Sequence, residues 1–275
     1  MDYRNELVKV AVEDGVAVAT IDAPPINVMT IALYLELAQT VATLATDPDA
    51  RVVVFRSADP DFFIAHFDVS AILQFPTDGE PVRDDNPNPF HVMCETVRTM
   101  SKATIAEING RVGGGGSEFS ASCDMRFGAA GKTVVNQMEV PLGILPGGTG
   151  TQRLPRLVGR GRALEIILGS VDIDADTAER WGYLNRALPP EELRPFVDAL
   201  ARRIAAFPPN AVALAKQSVL NAETMPLHDG LVEEAYLFQA TLRDPRAQAA
   251  MGRFLTLGGQ TREPELRMGD LVTEL

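Results

Sequence analysis

Cysteine is nearly absent: Cys94 and Cys123 are the two that 275 residues contain. No disulfide framework can organise such a chain, and a reducing cytoplasm is the expected location. Basic residues are also few, with 25 Lys and Arg against 37 Asp and Glu and a formal net charge of −12. Sequence-independent nucleic-acid binding rests on basic patches, so that class is set aside. The acidity does not exclude a polyanionic small molecule, because exposed charges more than about 10 Å apart are screened at ordinary salt. No uncharged run of about 18 apolar residues occurs, so no membrane span is expected. The opening residues Met1-Asp2-Tyr3-Arg4-Asn5-Glu6 show no basic stretch leading into an apolar one, so no secretory signal is expected either.

What is present is ordinary for a globular chain, 46% hydrophobic and 23% charged, with enough apolar material for a sizeable core. Strands are predicted over residues 7–12 and 16–21 around a Glu13-Asp14-Gly15 turn. Leu33, Leu37, Val41 and Leu44 give helical spacing over 30–44, and the apolar run 52–55 suits a buried strand. Residues 74–89, rich in Pro, Asp and Asn, read as a long excursion over one face. A helix over 90–100, a strand over 104–108 and a glycine-led helix ending near Cys123 follow, then a strand over 124–128. Beyond Gly148 the pattern is mainly helical, interrupted by a short strand over 184–188. These elements predict an α/β core over residues 1–200 and a helical segment over 201–275.

Three glycine-rich places invite chemistry. Gly128-Ala129-Ala130-Gly131-Lys132-Thr133 approaches a phosphate loop, but Arg126 stands where that motif needs its first glycine, and a solvated turn between strands is the better reading. Gly113-Gly114-Gly115-Gly116 follows a strand and opens a helix, yet the spacing of a dinucleotide fingerprint fails and Glu118 would repel a pyrophosphate. What such glycines can do is expose backbone N–H groups at a helix N-terminus to an oxygen that gains negative charge. Tight packing of helix on strand explains them equally well. The third run, residues 141–154, reads as a loop entering a helix that carries Arg153. Glu118 by itself suits a helix start, whereas Glu139 sits among Met138, Val140 and Leu142, an unusual setting for a solvated carboxylate. Asp68 suits a helix cap. His91 and His228 have no partner pattern.

Taken together, Asn109-Gly110-Arg111-Val112-Gly113-Gly114-Gly115-Gly116-Ser117-Glu118, then Gln137-Met138-Glu139, Pro141-Leu142-Gly143, Pro146-Gly147 and Gly150-Thr151-Gln152-Arg153-Leu154, resemble the crotonase (enoyl-CoA hydratase/isomerase) family over roughly residues 21–188. The resemblance implies a spiral of ββα units with a helical C-terminal segment that supports a homotrimer or a dimer of trimers. It implies that the amides of Ala65 and Gly115 form an oxyanion hole. Glu118 and Glu139 would be the acid/base pair, with Glu139 supplying the α proton. Ala65, His66, Phe67, Asp68 and Gly115 would line the channel for an acyl-coenzyme A thioester. No metal and no cofactor other than the coenzyme A carried by the substrate are implied.

Departures from the family pattern are specific. His66 and Phe67 stand where the family usually has glycine and then a small residue or histidine. Met138 replaces a frequent proline, one extra residue falls between Asp124 and Glu139, and Arg246 to Phe254 occupy the place of a missing C-terminal E-G-x-x-A-F pattern. The reaction expected is hydration of a 2-enoyl thioester. An isomerase, a thioester hydrolase, a C–C lyase or a non-catalytic acyl-CoA binder remain open on the same scaffold.

Overall fold

Val52-Val53-Val54-Phe55 lacks polar alternation, and every residue from 52 to 57 is buried. A strand covered on both faces belongs in the middle of a parallel sheet. The structure, a computed structural model, describes residues 5–275; the expectation of no secretory signal rests partly on residues 1–4, which lie outside it. Its strands are β1 (Val8–Glu13), β2 (Val16–Ile21), β3 (Val52–Ser57), β4 (Phe62–Ile64) and β5 (Ala103–Ile108). They continue as β6 (Arg111–Gly113), β7 (Met125–Ala129), β8 (Val134–Asn136), β9 (Ile173–Asp174) and β10 (Arg186–Leu188).

Two sheets result, one in the order β1-β2-β3-β5-β7-β10 and one in the order β4-β6-β8-β9. β1 and β2 form a hairpin whose turn residues, Asp14 and Gly15, both have positive φ, the conformation that matches strand twist in a two-residue turn. From there the chain repeats one unit. β3 joins the large sheet, β4 the small one, and the helix Val69–Ile72 follows. β5 and β6 lead in the same way to the helix Gly114–Ala121, and β7 and β8 to a 3-10 turn at Val140–Leu142. Within each sheet the corresponding strands of successive units are parallel. This is the ββα spiral that the resemblance implied.

The small sheet was not visible in the sequence. Its strands are two or three residues long, too short to show a period of two. They matter because β4, β6 and β8 lie side by side and parallel, so residues 65–68, 114–118 and 137–139 leave the same edge. Beyond the carboxyl ends of parallel strands is where α/β sheets place ligands.

The large sheet separates two apolar layers. Phe55, Ala106 and Ile108 face Leu33, Leu37 and Phe119 on one side. Val52, Val54, Ile105 and Phe127 face Leu193, Val197 and Ala201 on the other. The latter three belong to the helix Pro190–Ala206, which runs across the expected boundary at residue 200. Helices Pro209–Asn221, Leu227–Leu242 and Pro245–Thr256 make up most of the C-terminal segment, where helix was expected.

Phe55 and Phe119 meet edge to face, ring centroids 5.0 Å apart, both fully buried. This contact seats the helix Gly114–Ala121 on the large sheet. Phe55→Ala is expected to cost about 3–5 kcal/mol of stability, read from the midpoint of a denaturant titration.

Candidate active site

Three backbone segments meet at the edge of the small sheet. A Cβ built on Gly113 would lie 2.6 Å from the Ala65 carbonyl oxygen, and one on Gly116 would lie 2.6 Å from Ile64 Cβ. Only hydrogen fits between chains this close. Gly114 is further constrained, with φ of +45° and its missing Cβ 3.0 Å from Glu139 Oε1. Gly115, second in its helix, has an amide with no intrahelical acceptor. Its missing Cβ lies 3.6 Å from the Phe67 nitrogen. The turn after Ala65 and the start of the helix Gly114–Ala121 therefore run alongside one another.

Glu118 lies one turn into that helix and is 4% exposed. Its Oε1 accepts three consecutive amides, from Gly148 at 2.8 Å, Thr149 at 2.9 Å and Gly150 at 2.8 Å. These amides are the N-terminus of the helix Gly150–Val158, so its dipole also favours negative charge there. Burial lifts the Glu118 carboxyl above its usual range, and the three amides pull it part of the way back. Thr149 holds its place at φ of +145°, a strained backbone for a β-branched residue. His91 steadies the same loop, its Nε2–H donating to the Gly147 carbonyl at 2.7 Å.

Glu139 begins the 3-10 turn after β8 and is 8% exposed. Burial first, and the charge of Glu118 second, push its carboxyl up to about 7. Gln137 Nε2 donates to both Glu139 oxygens, at 3.3 and 3.2 Å, and partly offsets that rise. Gln137 is fully buried and also adjoins Glu118: a Cβ on Gly150 would be 3.1 Å from Glu118 Oε1 and 3.2 Å from Gln137 Nε2. Two buried carboxyls thus stand in unlike surroundings, Glu118 on three amides and Glu139 beside Gln137 and the Glu118 charge.

A cavity of about 540 Å³ joins these groups. His66, Phe67, Gly115, Glu118 and Glu139 all line it. Ala65 and Asp68 flank it without forming its wall. Ala65 is 5% exposed and packs its carbonyl on Gly113. Asp68 caps the helix Val69–Ile72, accepting from the Ser70 amide at 2.8 Å, the capping role its sequence context suggested. His66 Nδ1–H donates to the Phe67 carbonyl at 2.8 Å. His228 is exposed on a C-terminal helix. Residues 129–133 form the turn between β7 and β8, where the Lys132 and Thr133 amides both donate to the Ala129 carbonyl. Among the described residues no cluster of three or more His, Cys, Asp or Glu side chains could hold a metal ion.

Sequence reasoning missed Gln137 as a partner of the carboxyls, His91 as the brace on the loop, and Tyr34 and Phe90 as cavity walls. The Gln137-Met138-Glu139 order carried part of the first signal. Nothing local announced the others, because Gly147 lies 56 residues from His91.

A spiral of ββα units presenting two buried carboxyls and a helix N-terminus to one apolar cavity is an arrangement of the crotonase type. The enoyl-CoA hydratase/isomerase family model matches residues 11–259, and the chain belongs to that family. It is 31% identical over 248 residues to the short-chain-enoyl-CoA hydratase of Clostridium acetobutylicum, covering 88% of this chain and 92% of that one. It is 32% identical over 256 residues to the crotonyl-CoA hydratase of Syntrophomonas wolfei, covering 93% and 96%. The crystal structure of enoyl-CoA hydratase from Bacillus anthracis superposes with a TM-score of 0.83 at 27% identity, covering 91% of this chain and 96% of that one.

Gly148→Ala tests the cradle. Its Cβ would come within 2.5 Å of Glu118 Oε2 and 2.7 Å of Phe90 Cε1. Displacing the carboxyl should lower thioester turnover by about 10²-fold, measured by steady-state kinetics alongside a thermal melt that shows the fold retained.

Proposed function

We propose that this enzyme adds water across the double bond of a 2-enoyl-CoA thioester, which makes it a lyase. The observation that carries the reading is the pairing of two buried carboxyls in unlike surroundings on one cavity. Glu118, held as an anion by three amides, takes a proton from water as the oxygen attacks C3. Glu139, with a carboxyl near 7, delivers its proton to C2. Proton exchange with solvent resets the pair.

Polarisation of the thioester comes before either proton moves. The amides of Gly115 and Ala65 are assigned to the carbonyl oxygen. Each such donor is worth about 10²–10³ in rate when negative charge builds on that oxygen. Coenzyme A arrives with the substrate, and the chemistry calls on no other cofactor. Among the described residues no Lys or Arg lines the cavity, which suits the acyl end better than the phosphates.

The C-terminal segment (residues 201–275) is assigned to assembly into a homotrimer or a dimer of trimers. Leu227, Leu231, Val232, Tyr236 and Phe238 support this, since one helix exposes all five. Patches of that kind mark interaction surfaces. Among the described residues no helix is long and apolar enough to cross a membrane. The two buried free thiols fit a reducing cytoplasm.

A second reading, an enoyl-CoA isomerase, draws on the same value near 7, which also suits a single group moving a proton between carbons. The glutamine variants separate the two. Under hydration, Glu118→Gln and Glu139→Gln each lose about 10²–10⁴ in kcat, followed by the fall in 2-enoyl-CoA absorbance. Under isomerisation Glu118→Gln keeps most of its activity on a 3-enoyl-CoA. No turnover of any 2-enoyl-CoA by the unaltered protein rejects hydration.

The pH dependence has a definite sign. Hydration needs Glu139 protonated, so kcat/KM for hydration should fall as pH rises through about 7. Dehydration needs the same single proton on Glu118 instead, so its kcat/KM should fall in parallel, as the pH-independent hydration equilibrium requires. Initial rates of hydration over pH 5–9 check this, and a kcat/KM that stays level or rises through about 7 contradicts the assignment.

A further inference from the structure

The cavity has one wall that acid/base chemistry does not require. Tyr34, Phe67 and Phe90 line it as a single cluster, with ring centroids 6.3 Å (Tyr34–Phe67), 5.9 Å (Tyr34–Phe90) and 6.1 Å (Phe67–Phe90) apart. Phe75, 52% exposed, adds a fourth ring 6.5 Å from Phe67. Two of these residues lie against the start of the glycine-led helix. A Cβ at Gly115 would lie 3.3 Å from Phe67 Cβ and 3.6 Å from Phe90 Cζ. Phe90 is also wedged against Gly148 beside Glu118 Oε2. The carbons next to a carbonyl seated on the Gly115 amide therefore meet aromatic surface at once.

The volume of about 540 Å³ lies within the range of about 300–1,000 Å³ that holds drug-sized ligands. A four-carbon acyl chain would leave most of it empty. Resting on the hydratase reading, we infer that the site takes a 2-enoyl thioester carrying an aromatic ring on C3, and that Phe67 and Phe90 select it. An aryl alkene is one flat conjugated plane. Phe67 and Phe90, inclined at 74° to one another, offer it a face and an edge together. Stacked and edge-to-face contacts of that kind add attraction beyond burial alone. Phe67 is one of the positions where this chain carries bulk in place of a small residue.

Hydration of such a substrate places hydroxyl on C3 and hydrogen on C2, and it breaks the conjugation between ring and alkene. Equilibrium therefore favours the alkene, and the reaction is best read in reverse. Glu139 takes the C2 proton, the C3–O bond breaks, Glu118 protonates the departing hydroxyl, and water leaves.

The test compares dehydration of 3-hydroxy-3-phenylpropanoyl-CoA, 3-hydroxybutanoyl-CoA and 3-hydroxydecanoyl-CoA, followed by mass spectrometry of the alkene. The expected result is a kcat/KM for the phenyl substrate at least about tenfold above both linear ones. Phe67→Leu and Phe90→Leu should each lower that ratio several-fold. Because the ratio is taken within one variant, loss of folded protein alone does not move it. A linear substrate used equally well or better overturns the inference, as does a ratio unchanged in both variants. Turnover with a linear preference leaves the hydratase reading standing, whereas no turnover of all three removes both.

Discussion

A carboxylate moved from water into an apolar cavity is stable only where donors replace its hydration, and the site is arranged around meeting that demand at Glu118. Three successive amides of a helix N-terminus converge on one of its oxygens. For this, the loop after Pro146 must pass over the helix Gly114–Ala121 at a distance that no side chain at Gly148 would permit. It must also hold Thr149 in a strained conformation. The brace from His91 and the packing of Leu154 into the core offset that strain. Glu139 receives no such cradle. Among the described residues its one side-chain donor is Gln137, and the nearby Glu118 charge opposes its ionisation. Two identical side chains thus stand in unlike surroundings, and burial raises the proton affinity of both.

The spiral makes this arrangement available. Each ββα unit delivers a strand end to the edge of the small sheet, and three of them lie in parallel. One end supplies the turn at residues 65–68, the next the glycine-led helix, and the third Gln137 and Glu139. The large sheet carries the apolar load, with Phe55 holding the glycine-led helix in place from below. Burial on both faces of that sheet keeps the small one fixed, although its own strands are short.

Much of this was legible in the chain. The buried strand at residues 52–55, the amphipathic helix after Thr30 and the C-terminal helices follow from periodicity and caps. Glu118 and Glu139 were legible through the ordered motifs around them, and Glu139 also through its apolar neighbours. The small sheet was not, because two or three residues carry no period. The repeat of ββα units was hidden for a related reason: it is a repeat of topology, and the loops between units differ in length and composition. Phe90, Tyr34 and His91 escaped because their roles depend on partners distant in sequence. Phe67 was visible as a departure, but its meaning required the rings around it.

The family membership fixes the scaffold, and the chemistry rests on where a thioester carbonyl sits within it. The most direct measurement is a crystal structure with a saturated acyl-CoA bound. The account predicts the thioester oxygen within about 3 Å of the Gly115 and Ala65 nitrogens, with C2 beside Glu139 and C3 toward Glu118. A carbonyl turned away from those amides, or an acyl chain lodged outside the cavity between the two carboxyls, would contradict it.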